Sequence, residues 1–265
     1  MSFASRPLRP AHLAHMARED TIVLSPHFDD ACFSVGSLLE QVGSGTLINV
    51  FNRSLYLARV PLGAPQPLTE AAVGAIRGEE DARFAAHCGL SRRQLGFAEP
   101  GFDGRRPNDL SGLSRDVEAA GTAVHAALLE HISGTDRRPY LLAPMALGRH
   151  VNHHAVHQIV RAHAPQLMAH FRLGFYEDLP YAHDPFERAR GLRRFAAEWR
   201  GQGFVRHAWS GGWPAKRSLV AMYATQLRRP ASALKFRPAA LWPLGVHEAL
   251  WMRPDDLQTA EGAGA

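Results

Sequence analysis

Short continuous apolar runs alternate with longer stretches whose apolar residues recur at three and four positions through most of this chain. Runs bounded by Gly, Ser or Pro read as strands buried on both faces, and the longer spacing reads as helices packed over them. The pattern predicts strands near 21–25, 46–51, 94–98, 139–143 and 171–176. It predicts helices near 32–42, 69–88, 113–132, 154–163 and 186–198. This alternation is that of one α/β domain, three-layered and Rossmann-like, with a mostly parallel sheet. Pro61 to Pro67 and Gly101 to Pro107 carry loop signals, and as loops after strands they are expected at the sheet's active edge. The single domain is expected to span 1–265, with its core at about 20–200. Segment 201–257 is expected to cap the domain or complete the sheet, with a helix-like stretch from Arg217 to Leu227, and 258–265 to be disordered.

Composition narrows the class. With 265 residues, 46% of them hydrophobic, the chain can bury a sizeable core. It has no uninterrupted apolar stretch of about 18 residues, and Met1 to Asp20 lacks the apolar middle of a secretory signal. A soluble, cytoplasmic protein without membrane insertion is therefore expected. Cys32 and Cys88, the only cysteines, sit in apolar helical contexts and read as reduced, buried thiols. The net charge of +5 comes almost entirely from arginines, which are scattered and form no block or nucleic-acid-reading motif. No nucleic-acid partner is expected. Arg53, and Arg105 or Arg106, could instead contact an anionic small-molecule substrate.

The candidate chemistry lies at two strand ends. The run from Thr21 to Pro26 ends in His27-Phe28-Asp29-Asp30, where a tight turn could aim His27 and Asp30 at one ion and leave Asp29 free for proton transfer. A strand followed by a capping Asp would look the same. Far downstream, Gly148-Arg149-His150-Val151-Asn152-His153-His154-Ala155-Val156-His157 places four histidines at another strand-to-helix junction. Three-apart spacing lets His150 and His153 face one site while His154 points elsewhere, and one of them would supply a third ligand. The competing reading is a histidine-rich helix surface.

Together, His27-Phe28-Asp29-Asp30 and His150-Val151-Asn152-His153 resemble the LmbE/PIG-L family of zinc-dependent de-N-acetylases, whose pattern is His-x-Asp-Asp followed by His-x-x-His. The resemblance implies His27, Asp30 and His153 as metal ligands and Asp29 as general base. It implies His150 as oxyanion stabiliser or proton donor to the leaving amine. The ion is expected to be Zn2+, with Fe2+ compatible with the same donors. The implied reaction is removal of an N-acyl group, foremost N-acetyl, from an amino-sugar substrate. An amidase acting on a non-sugar metabolite or thiol conjugate, and a non-catalytic carbohydrate-binding protein with a vestigial site, are the alternatives. Weaker echoes are Asn49 to Ser54, Ile76 to Asp81, and Phe175 to Tyr181. Arg53, Asn152 and Tyr181 are the candidate substrate contacts. Glu177-Asp178 reads either as carboxylates supporting the ligands or as a cap before Pro180. Two departures stand inside the motifs. Phe28 and Ala31 replace a proline and an acid, as in a subfamily. Asn152 stands where an aspartate is frequent and could not raise the pKa of a neighbouring His150. The late tryptophans are read as packing, with stacking on a sugar as the alternative.

Overall fold

The computed structural model describes residues 5–132, 137–209, 211–236 and 248–257. In chain order its first elements are β1 (Arg6–Pro7), α1 (Pro10–Glu19), β2 (Thr21–Ser25), α2 (Asp30–Val42) and β3 (Gly45–Asn49). Next come α3 (Glu70–His87), β4 (Leu90–Gln94), α4 (Leu113–Leu129), β5 (Tyr140–Pro144) and α5 (Val151–Ala162). The remainder are α6 (Ala164–His170), β6 (Arg172–Tyr176), α7 (Pro185–Glu198), β7 (Val205–Trp209), α8 (Trp213–Ala221) and β8 (Glu248–Met252).

The strands form one sheet in the order β1-β7-β8-β6-β5-β2-β3-β4. All neighbours run parallel except β8, which is antiparallel to both β6 and β7. This is the expected Rossmann-like α/β architecture with a mostly parallel sheet. Every residue of β2 and of β5 is buried, as strands covered on both faces require. From β2 the chain steps outward through β3 to β4, then returns to β5 on the other side of β2. The carboxyl ends of β2 and β5 therefore flank a topological switch point, where such sheets open a crevice. Gly45 makes the tight entry to β3 possible: its φ is +137°, and a Cβ there would lie 2.2 Å from the Thr21 carbonyl oxygen.

The differences from expectation have physical causes. The fourth strand occupies Leu90–Gln94, not 94–98, because an edge strand tolerates the polar sequence Leu-Ser-Arg-Arg-Gln. The apolar Leu95 and Phe97 run on beside the end of β3, their amides bonding Asn49 O (2.9 Å) and Val50 O (3.1 Å). α5 starts at Val151, three residues earlier than predicted, because His150 caps it. β1, α1 and α6 were not anticipated; α1 buries only Leu13 and Met16, too few positions for a clear period. β7 and β8 complete the sheet, one of the two roles expected of the C-terminal segment. α8 ends at Ala221, earlier than the helix-like stretch suggested. Trp199 and Trp251 are core residues, and Trp209 and Trp213 pack against the core. Packing thus accounts for these four, whereas Trp242 and the expected disorder of 258–265 lie outside the described residues. Cys32 and Cys88 are free and buried, as expected. Among the described residues no helix is long and apolar enough to cross a membrane.

Candidate metal-dependent active site

The first half of the site is the turn leaving β2. Ser25 Oγ donates to the His27 carbonyl and accepts from Ala31 N (3.0 Å), closing the turn onto the start of α2. Within it, His27 N donates to Asp30 Oδ2 (2.8 Å), and the same oxygen lies 2.9 Å from His27 Nδ1. Asp29 occupies the N-cap position of α2, yet its side chain makes no capping hydrogen bond. It accepts instead from Arg77 Nη2 at 3.0 Å, which removes the capping interpretation of this carboxylate. Burial pushes the Asp29 carboxyl above its ordinary range, opposed by the Arg77 charge and reinforced by Asp30.

The second half is the β5–α5 junction. Ala146 holds a positive φ of 59°, and the backbone around it is fixed from three sides. Met145 N bonds Tyr176 O (3.0 Å), Leu147 N bonds Asp178 Oδ2 (2.9 Å), and the Arg194 guanidinium donates to Met145 O and Ala146 O. Gly148 follows at φ +80°, where any Cβ would meet the Tyr181 ring at 2.7 Å. His150 then caps α5, its Nδ1 accepting from Asn152 N (3.3 Å). That bond places the proton of a neutral His150 on Nε2. Burial, then the neighbouring His27 and His153, holds the His150 pKa well below its usual value.

Across the crevice the rings of His27 and His150 lie 4.5 Å apart between centroids, and His153 lies 5.4 and 5.3 Å from them. Each of the three offers a nitrogen within 4.8 Å of the others. His153 Nδ1 is 2.7 Å from Asp178 Oδ1, which turns Nε2 toward Asp30 Oδ1 at 3.2 Å. Nε2 is buried and makes no hydrogen bond. Ligands about 2.0–2.2 Å from a tetrahedral ion are separated by roughly 3.3 Å. A buried, orphaned imidazole nitrogen at that separation from a carboxylate oxygen is what a divalent metal site presents, so the donor set fits one. Burial disfavours charge on His153, but Asp30 and Asp178 outweigh it and push its pKa up to about 10. His27 and His153 in turn hold the Asp30 carboxyl well below its usual range, against the effect of burial.

The other candidates divide. Tyr181 packs edge-on against His153, with centroids 5.4 Å apart, and so borders the site. Asn152 is wholly buried, and its Oδ1 lies 3.0 Å from His27 Nε2. Its side-chain partner is His27, not His150, because the first turn of α5 directs it across the crevice toward the β2 turn. Arg53 stands on the rim of a pocket of about 450 Å3, lined also by Phe28, Asn52, Thr69, Glu70 and Gln94. Its guanidinium is already engaged with Glu70. Arg105 is likewise held by Asp103 and Asp116. His154 bonds Gly148 O (3.2 Å), and His157 bonds Pro144 O (2.9 Å) inside an aromatic cluster, so neither joins the site. Asp178 supports His153, whereas Glu177 ties α7, β7 and β8 together through Arg188, Arg206 and Trp251. Arg77, within the Ile76-to-Asp81 echo of the family pattern, carries no role that the sequence assigns. It is buried and joins Asp29 to Glu99 (2.7 Å), which also accepts from Ser54 (2.8 Å).

No family model matches the chain. A 2′-N-acetylparomamine deacetylase from Streptomyces fradiae is 37% identical over 205 residues, covering 69% of this chain and 67% of that protein. Among solved structures, a deacetylase of the teicoplanin biosynthetic pathway superposes with a TM-score of 0.58 at 22% identity, covering 88% of this chain and 96% of its own. The A40926 pseudoaglycone deacetylase superposes at 0.56 with 20% identity, covering 89% and 97%. These two establish the shared fold, and the Streptomyces relative establishes the family. The chain belongs to the LmbE/PIG-L family of de-N-acetylases, hydrolases that cleave an amide C–N bond.

Proposed function

We propose that this protein is a zinc-dependent N-deacetylase acting on an amino-sugar substrate, with His27, Asp30 and His153 as the metal ligands. The observation that carries this reading is the orphaned His153 Nε2, buried 3.2 Å from Asp30 Oδ1 and backed by Asp178. The relative from Streptomyces fradiae, a deacetylase of an N-acetylated amine, supports the reaction class. When bound, a zinc ion would polarise the amide carbonyl and make a water acidic enough to attack it near neutral pH.

The protein's own groups supply the proton steps. Asp29, its pKa raised by burial and its orientation set by Arg77, takes the proton from the attacking water and returns it to the departing nitrogen. His150, neutral with its proton on Nε2, donates a hydrogen bond to the developing oxyanion. A depressed His150 pKa favours that role over proton donation to the amine. The amino sugar would extend into the pocket beside Phe28, where Asn52, Gln94, Thr69, Arg53 and Glu70 offer hydrogen-bonding groups to hydroxyls.

A second reading of the ligand set follows from the proximity of the three histidines, with His150 replacing Asp30. His150→Ala separates the two: the protein retains zinc if Asp30 is the ligand and loses it if His150 is. The overall proposal is tested by acetate release from a panel of N-acetyl amino sugars, free, glycosidic and nucleotide-linked, with Asp29→Asn alongside. Release by the wild type and its loss in the variant is the expected result. No release by zinc-loaded wild type from any member would reject the substrate class.

A further inference from the structure

α2 begins with two residues of the site, Asp29 at its cap and Asp30 at its first position, and it is broken five residues later. At Val35 the backbone leaves the helical region, with φ −134° and ψ 18°. In an unbroken helix the amides of Ser37 and Leu38 would bond the carbonyls of Phe33 and Ser34. Both amides turn instead to the carboxylate of Glu248, at 2.9 Å each. The carbonyls of Cys32 and Phe33 accept from Lys216 Nζ at 3.0 and 2.7 Å, and Lys216 also pairs with Glu248. A kink of this kind needs a cause, and here it is a pair of side chains inserted into the helical ladder. A Cβ at Gly36 would meet only ordinary contacts of 3.5–3.6 Å, so packing at the kink does not itself demand a glycine.

Lys216 and Glu248 are 0% and 2% exposed at the side chain, so both charges are fully desolvated. Burying such a pair carries a large desolvation cost, which its mutual attraction and its hydrogen bonds to the α2 backbone offset. What the pair achieves is to uncouple the first turns of α2 from the rest. The short first part is tied to the site's own scaffold. Ala31 N bonds Ser25 Oγ, and Ser34 Oγ accepts from Leu179 N (3.1 Å), next to Asp178. The second part is seated by Glu248 at the start of β8. We propose that Lys216 and Glu248 are positioning residues for the metal site. By holding the break at Val35 they set the direction in which Asp29 and Asp30 meet His27 and His153. Without them the ladder would re-form across Val35 and draw the two aspartates away.

This inference rests on the metal-dependent reading above, and its test reads zinc binding separately from turnover. Lys216→Met alone would strand a buried carboxylate, so the double variant Lys216→Met/Glu248→Gln is used, which removes both charges at similar volume. Zinc affinity is measured by competition with a chromophoric chelator, alongside thermal melting and steady-state kinetics. The expected result is a cooperatively folded protein whose zinc affinity falls about tenfold, as when a ligand's support is removed, with kcat lowered and KM unchanged. A double variant that melts lower yet keeps wild-type zinc affinity and kcat would reduce the pair to a structural role and overturn the proposal. Should the double variant fail to fold, Glu248→Asp, which keeps the charge pair but draws the carboxylate back from the α2 amides, gives the reading: weaker zinc binding supports the proposal, unchanged binding rejects it. A wild type that binds no zinc would reject the metal-dependent reading itself.

Discussion

Two buried acidic clusters stand at neighbouring edges of β6, and their surroundings treat them differently. Around Glu177 both carboxylate oxygens have donors, supplied by Arg188, Arg206 and the Trp251 indole. Around Asp30 and His153 the pairing is incomplete, and a buried imidazole nitrogen is left without a hydrogen bond. A fully satisfied buried charge serves the fold, joining three elements at the cost of its desolvation. A buried group with an unmet valence is costly unless something fills it, and so marks a place where a ligand belongs.

The most severe disruption should come from the incomplete cluster. Asp29→Asn is expected to lower kcat by about 10³-fold, within the range for a lost general base, while zinc content by elemental analysis stays at wild-type level. His153→Ala should lose zinc as well as turnover, and equal zinc loss in both variants would break the assignment of roles. Glu177 should respond in the opposite sense, with stability lost and zinc affinity kept. Its folded pKa is about 2 against an ordinary 4.5, because Arg206 and Arg188 outweigh burial. The unfolded chain therefore takes up this proton first as pH falls. The contribution is fully present above 4.5 and fades as pH drops toward about 2, and that interval is worth roughly 3 kcal/mol. Denaturant titrations of Glu177→Gln should show a deficit of that order at pH 7, shrinking as the pH is lowered.

Smaller changes sharpen the contrast. Asp178→Asn leaves the His153 ring in place but weakens its orientation, so zinc affinity should drop roughly 10- to 100-fold with little change in melting. Loss of stability without loss of affinity would move Asp178 to the structural side of the comparison. Least of all, Arg53→Ala removes an exposed, solvent-screened pair with Glu70, and the melting temperature should hardly move. A raised KM in that variant would make Arg53 a substrate contact, and an unchanged one would leave it a surface residue.

Legibility in the sequence followed range. β2, β5 and the helices after them announce themselves through local periodicity, and the charged residues at their ends stand out because a buried strand should not end in His, Asp and Asp. Asp178 was visible as a possible support, but nothing local could say that it turns toward His153 and not toward a helix cap. Arg77 looked like a surface arginine because a helical period cannot reveal that its face meets Glu99 and Asp29. The side-chain partner of Asn152 is 125 residues away in His27, a contact that local spacing beside His150 and His153 does not reveal. β7 and β8 were indistinct because each is a short strand whose register depends on the other. Val-Arg-His-Ala-Trp has no strong period of its own.

The place of β8 in the sheet carries a consequence for the order of assembly. Among the described strands it comes last in the chain, yet it lies between β6 and β7, so β7 and β1 have no edge to join until it is in place. All five motif residues of the site precede it in the chain, at the ends of β2 and β5 within the parallel block from β4 to β6. Glu248, which accepts from the amides at the break in α2, comes with β8. Chain order thus sets the histidines and aspartates well ahead of the residue that seats the second part of α2, although the sheet brings the two together.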